Sequence, residues 1–279
     1  MSVNLSPLTK LLEQAVKSAS ELAITRFYDS SSIRKNYKPD QKELVTQVDL
    51  EIQSFLQEFL TQGMQAAGYT TEEVGFLGEE ELFKPGKFMF VIDPLDGTKN
   101  FCQQQKHFAI AIALFIQNQL QVAAIATPAQ KKIYLAQKQT GAWVEQNGQR
   151  QPLQNKPCNL NQAIVNCDTH QIQLIELTLI SSLAPIVKSI NKLKSSSVEM
   201  AWTAENVLNL TILSNQKIWD IAAGKLIVEE AGGAVVDWRN MPFELDPLDS
   251  EARYFAVAGH PQNIQQILPY LNIGALNLG

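Results

Sequence analysis

Four short apolar runs follow one another between residues 87 and 137: KFMFVID, HFAIAIALFI (107–116), QLQVAAIATPA (119–129) and KKIYLAQ (131–137). The first is a convincing strand. The other three, separated by turn-like breaks, read as antiparallel strands of one sheet. Asn147-Gly148 in GAWVEQNGQR adds a hairpin signal. Helices flank this core. Residues 7–28 place Leu8, Leu11, Leu12, Ala15, Val16, Ala19, Leu22, Ala23 and Phe27 at helical spacing, with Ser6 as N-cap and Pro7 as first helical residue. A second helix is expected from near Thr46. Residues 30–40 are polar and read as a loop, and residues 69–87 carry many acids and few packing residues.

The second half alternates differently. A strand is expected near 163–167, a helix near 171–190, a strand near 195–201 and a long helix at 219–232. Strands near 234–237 and 254–258 and a closing helix over 261–271 follow. Residues 151–161 are the best linker candidate. With 279 residues, 45% of them apolar, the chain suffices for one large α+β domain or two tightly packed halves, 1–150 and 151–279.

The net charge is −5, and no basic tract of the kind that tracks nucleic acid or an anionic membrane surface occurs. Any phosphate in a substrate must therefore be neutralised by something other than a Lys/Arg field. Cys102, Cys158 and Cys167 have no CxxC spacing, which argues against a disulfide framework or a zinc site and for a reducing compartment. The N-terminal stretch has no apolar leader core, and no uncharged apolar run reaches about 18 residues. A cytoplasmic protein with no nucleic-acid or membrane partner is expected.

The first strand runs into VIDPLDGTKNF (91–101), with Asp93 and Asp96 on either side of Pro94 and Leu95. Two readings are open. Asp-Pro and Asp-Gly are ordinary turn dipeptides. Alternatively, two carboxylates on one tight turn, with the intervening Leu95 carbonyl, supply oxygens to adjacent Mg²⁺ ions, whose remaining positions take water and substrate phosphate. Gly97 lets the backbone approach closely, and Thr98 opens the next element, where unpaired N–H groups can receive a phosphate. The metal reading demands further acids. Glu79, Glu80 and Glu81 follow Gly78, and Asp220 begins the helix of IWDIAAGKLIVEEAGG. An acidic run is ordinarily a solvated loop, and Asp ordinarily an N-cap. Their conjunction with residues 93–98 favours the metal.

Together these pieces resemble the inositol monophosphatase superfamily, the magnesium-dependent, lithium-sensitive phosphatases. DPLDGTKNF matches the family's first motif, WDIAAGKLIVEEAGG its second and GEE its acidic loop. VTQVD, ending in Asp49, and IYLAQKQTGAW also have counterparts, so that the likeness spans roughly residues 8–270. The resemblance implies an α+β fold, the layered αβαβα sandwich of the inositol monophosphatase / fructose-1,6-bisphosphatase type. Residues 1–150 would hold the antiparallel sheet and most metal ligands; residues 151–279 would carry Asp220 and the substrate pocket.

Carried over residue by residue, it implies that Glu79, Asp93 and the Leu95 carbonyl hold one Mg²⁺. Asp93, Asp96 and Asp220 hold a second, and a third, weaker ion sits near Glu79. Thr98 hydrogen-bonds the attacking water, Asp49 orients Thr98, and Glu79 assists the activation. The amides of Gly97 and Thr98 contact the phosphate. A small-molecule phosphomonoester as substrate and a homodimer are expected. No Ser, Cys or His nucleophile is offered, so attack by water is direct; His107, His170 and His260 lie outside the matched ligand positions.

The substrate pocket departs from the inositol-selective pattern. Lys194-Ser195-Ser196 stands where that branch has Gly-Ser/Thr-Ala, and Leu213 where it has a Glu that contacts a ring hydroxyl. NVLNLTIL replaces a Gly-x-x-Asp-x-Tyr segment. DPLDGTK, SSSVEM and TAEN lean instead toward the phosphatases of 3′-phosphoadenosine 5′-phosphate. The expected activity is hydrolysis of small phosphomonoesters with broad specificity. The adenosine bisphosphate 3′-phosphatase is the alternative, and a non-catalytic metal-binding homologue is a reading of another class.

Overall fold

The computed structural model describes residues 3–29, 35–37, 44–169 and 173–271. Helix α1 (Leu5–Tyr28) buries the stripe Leu8, Leu12, Ala15, Val16, Ala19, Ala23 and Phe27. Its cap is Asn4, whose side chain accepts a hydrogen bond from the Ser6 amide at 3.2 Å, so the helix begins two residues earlier than the Ser6-Pro7 signal suggests. A short ribbon, β1 (Lys35–Tyr37) and β2 (Leu44–Thr46), leads into α2 (Gln47–Ala66). The rest of the polar segment 30–40 lies outside the described residues.

The first large sheet takes β3 (Val74–Gly78), β4 (Leu82–Lys84) and β5 (Phe88–Asp96). A short helix, α3 (Thr98–Cys102), then intervenes before β6 (Ala109–Ile116), β7 (Gln119–Thr127), β8 (Lys132–Gln137), β9 (Gly141–Gln146) and β10 (Gln149–Pro152). The strand order is β10-β9-β8-β7-β6-β5-β3-β4, antiparallel except where β3 runs parallel to β5. The second half adds β11 (Ile164–Thr169), α4 (Gln173–Leu183), β12 (Ser189–Asn191), α5 (Ser196–Ala204), β13 (Leu210–Gln216), α6 (Ile218–Glu230), β14 (Ala234–Val236), β15 (Tyr254–Gly259) and α7 (Pro261–Ile267). Its sheet has five strands in the order β12-β11-β13-β15-β14.

Side-chain alternation along the strands sorts the molecule into layers. Phe76, Phe88, Phe90, Ile92, Ile110 and Ile112 face α1 and α2 in one apolar cluster. Met89, Val91, Ala109, Ala111 and Ala113 face the other way, onto Val198, Met200, Ile221 and Ala222 of α5 and α6. The same cluster takes in Leu213, Ala256 and Ala258 of the five-stranded sheet, so α5 and α6 lie between the two sheets. Leu179 and Leu183 of α4 and Ile264 and Ile267 of α7 cover that sheet's outer face. The result is an αβαβα sandwich. Gly224 lets the two middle helices touch: a Cβ there would lie 2.5 Å from the Met200 Cβ.

Several expectations change. Lys35–Tyr37, within the expected loop 30–40, form β1, and the helix expected near 171–190 ends at Leu183, before β12 at Ser189–Asn191. Residues 196–204 form a helix, not a strand. Every residue in it except Trp202 is buried, which removes the polar face that makes a helix readable, and Val198, Met200 and Trp202 imitate a strand's alternation. Residues 74–78, within the segment judged poor in packing residues, form the fully buried strand β3. The expected linker at 151–161 is mostly irregular yet pinned: the Asn155 amide donates to the Ala231 carbonyl at 2.7 Å and its Nδ2 to the Thr203 carbonyl at 2.7 Å. Among the described residues, no helix is long and apolar enough to cross a membrane.

Candidate active site

Asp93 and Asp96 do not stand on a turn after a strand. β5 continues through both, paired with β6: Asp93 lies opposite Ala111 and Asp96 opposite Ala109, with a bulge between them. The bulge is where a proline can sit in a sheet, since Pro94 has no N–H to give the ladder. It also sets direction. Three residues on β5 span two on β6, so both carboxylates come to the face of Ala109 and Ala111, that of α5 and α6. The Leu95 amide donates to Asp93 Oδ1 at 3.1 Å. Gly97 follows with φ 86°, and a Cβ there would lie 2.8 Å from the His107 carbonyl oxygen, so glycine is required twice over.

The Thr98 hydroxyl has two acceptors in reach, Asp49 Oδ1 at 3.1 Å and the Leu95 carbonyl at 3.0 Å. Asp49 itself is fully buried at the first turn of α2. Asp96 Oδ2 accepts from the Ser197 amide at 2.6 Å and the Ser195 hydroxyl at 2.9 Å. The start of α5 therefore grips this carboxylate. Asp220 lies in the first turn of α6, where its Oδ2 accepts from the Lys217 amide at 2.7 Å. Glu79 follows directly on β3, in a loop held by Gln53, whose Nε2 donates to the Glu80 carbonyl at 3.0 Å.

The electrostatics tie these residues together. Asp93 is pushed well above the usual carboxylate range, first by burial and then by the charges of Glu79, Asp96, Asp220 and Asp49. Asp96 is raised to about 6, chiefly by burial, against the lowering effect of its Ser197 and Ser195 hydrogen bonds. Carboxyl groups from α2, the loop after β3, β5 and α6 thus act on Asp93 together.

This donor set fits a hard divalent cation. It is all oxygen, it is over-supplied with negative charge, and three of the carboxylates have one oxygen anchored by a backbone amide, the support that orients a ligand. Among the described residues no three His, Cys, Asp or Glu side chains are already grouped so that they could hold a metal ion. The same observation implies a pH dependence. Asp96 has a folded-state pKa near 6 against an ordinary 3.8, so its contribution to metal-free stability is complete below the ordinary value and is lost as pH rises through about 6. The melting temperature in excess EDTA is therefore expected to fall between about pH 4 and 6, and Mg²⁺ to abolish the fall. Calorimetry across that range checks it; a flat profile in EDTA counts against a strained carboxylate nest.

The remaining candidates divide. Lys194 is exposed, with φ 60°, at the mouth of the segment leading into α5. Ser195 and Ser196 are buried, and their hydroxyls lie 2.9 and 3.5 Å from Asp96 Oδ2 rather than facing open solvent. Leu213 is 1% exposed within the middle-layer core and presents no open pocket wall, so a Glu there would be a buried charge. Two residues escaped the sequence reading. Ser197 supplies the amide to Asp96, for which the unbroken Ser195-Ser196-Ser197 run before α5 was the available signal. Asn100 is 2% exposed and donates to the His107 and Leu193 carbonyls at 2.6 and 2.8 Å, tying α3 to the approach of α5. His107 packs edge-on against Trp202 and His260 caps α7, while His170 lies outside the described residues.

The chain also matches known proteins. The model of the inositol monophosphatase family matches residues 4–274. An inositol-1-monophosphatase of Rhizobium meliloti is 28% identical over 236 residues, covering 83% of this chain and 86% of that one. The Nus factor SuhB of Pseudomonas aeruginosa is 29% identical over 240 residues, covering 84% and 86%. A solved structure described as an IMPase/NADP phosphatase complexed with Mg²⁺ and phosphate superposes with a TM-score of 0.79 at 24% identity, over 99% of this chain and 97% of that one.

Proposed function

Because the chain belongs to the inositol monophosphatase family, we propose that it is a metal-dependent phosphomonoesterase acting on small phosphorylated metabolites. The observation that carries the proposal is the buried Asp93 carboxyl group, which feels the charges of Glu79, Asp96, Asp220 and Asp49. Glu79, Asp93, the Leu95 carbonyl, Asp96 and Asp220 would hold two or three Mg²⁺ ions. Bound there, Mg²⁺ supplies charge neutralisation for the phosphate and the leaving alkoxide and lowers the pKa of water.

The chain's own groups do the rest. Donation by the Thr98 hydroxyl to Asp49 leaves its oxygen lone pairs to accept from a water and fix that water's position. Glu79 stands at the acidic loop to receive a proton. The amides of Gly97 and Thr98 hold the phosphate oxygens. Ser195 and Ser197 keep Asp96 from turning away, which makes the α5 approach part of the ligand support. No serine or cysteine is needed as a covalent carrier.

A second reading has its own motive. The relative at 29% identity is described as a Nus factor, so a protein-binding role of the folded chain stands beside catalysis. Phosphate release separates the two. With Mg²⁺, hydrolysis of inositol 1-phosphate and glycerol 2-phosphate at comparable kcat/KM is expected, with adenosine 3′,5′-bisphosphate slower. A preference of more than about 100-fold for the bisphosphate would make the nucleotidase the better reading, and no release from any of the three would leave only the binding role.

A further inference from the structure

β11 and β13 are parallel neighbours, yet the chain leaves their carboxyl ends toward opposite faces of the sheet. From β11 it passes to α4 on the outer face; from β13 it passes to α6 in the middle layer. Such a reversal opens a crevice at the strand ends, the place where open α/β sheets take their ligands. Asp220 overhangs this crevice, because α6 starts two residues after β13 ends.

Asp168 stands one residue from the end of β11, directly across from Leu213 on β13. Its side chain is 13% exposed and lies 3.5 Å from Lys192 Nζ, just beyond the end of β12. The charge of Asp168 is felt at both Asp96 and Glu199, which places it on the flank of the metal-ligand nest. Leu213, buried beneath it, offers no polar group to a substrate.

We propose that Asp168, held by Lys192, is the specificity residue on the alcohol side of the site, accepting a hydrogen bond from a hydroxyl of the substrate's leaving group. The proposal rests on the phosphomonoesterase reading above. The pair's chemistry selects the partner. A second anionic group would be repelled by the Asp168 carboxylate. A cationic group would compete with Lys192 for the same carboxylate. A neutral hydroxyl can donate to Asp168 and accept from Lys192 at once. The favoured class is therefore a polyhydroxylated alcohol esterified to one phosphate, recognised from β11 rather than from position 213.

Two substrates with one carbon skeleton isolate the effect: glycerol 2-phosphate and isopropyl phosphate, which lacks the two hydroxyls. The wild-type ratio of kcat/KM values with Mg²⁺ is expected to be about 10 or more, the scale of a hydrogen bond to a charged acceptor. Asp168→Ala should bring the ratio close to one, and Asp168→Asn, which keeps a neutral acceptor of the same shape, to an intermediate value. A general loss of folding or metal binding lowers both substrates alike and cancels in the ratio. A wild-type ratio near one overturns the proposal, as does a ratio that survives in Asp168→Ala. A clear preference for phosphoethanolamine over glycerol 2-phosphate overturns it in favour of a cation. Failure of the wild type to hydrolyse either skeleton strikes the phosphatase reading itself, and the proposal with it.

Discussion

Asp96→Asn and Asp220→Asn are each expected to lower turnover by at least about 100-fold, or about 2.7 kcal/mol of transition-state stabilisation. Both replacements keep the shape of the side chain and one oxygen acceptor, so the hydrogen bonds from Ser197 to residue 96 and from Lys217 to residue 220 can persist. What is lost is an anionic oxygen where charge must balance a cation. The fold should gain from the same change. Asp96 is strained by burial in the charged form, and a neutral amide relieves that strain, so Asp96→Asn should melt slightly higher than wild type in excess EDTA near pH 7.5. Kinetics and melting together make the result decisive. Loss of folded protein in Asp96→Asn would return Asp96 to a structural role at the β5 bulge, and near-wild-type turnover would remove it from the ligand set.

Removal of metal should have the largest effect of all. In excess chelator, phosphate release is expected to vanish, and Mg²⁺ to restore it. A phosphate dianion approaching Glu79, Asp93, Asp96, Asp220 and Asp49 without cations is repelled by like charge, which opposes both binding and chemistry. Ca²⁺ should fail to replace Mg²⁺, because its longer bonds and looser coordination relax the geometry that Thr98 and Asp49 set for the water. Li⁺ should inhibit, as the family resemblance implies. Turnover that persists undiminished in EDTA would reject the mechanism entirely.

The candidate metal loop is legible in the sequence because its proposed chemistry is local. Asp93, Leu95, Asp96, Gly97 and Thr98 lie within six residues, and hard-cation ligation leaves few substitutes for carboxylates there. The strands of the large sheet were readable for a similar reason: β6, β7 and β8 are continuous apolar runs joined by short turns. The middle layer was not. α5 is surrounded by other elements, so burial removed the contrast between faces on which a helix assignment depends. The alcohol side of the site was hidden more deeply. Asp168 lies on β11 and Lys192 just beyond β12, and only the order β12-β11-β13 brings them together. Leu213 was noticed because it replaces an expected acid; its burial is a tertiary fact that no local spacing announces.

The bulge in β5 makes the site a matter of parity. Side chains on a strand alternate, so the side on which Asp96 emerges depends on whether the count from Asp93 is odd or even after the bulge is allowed for. With the three-residue spacing kept and no bulge to absorb the extra residue, one of the two aspartates would turn toward Phe90, Ile92 and the helices α1 and α2. The surplus residue thus lets two carboxylates an odd number of positions apart share one face of the sheet, whereas deleting Pro94 would leave them on that face, two apart in a regular ladder, without the bulged backbone between them.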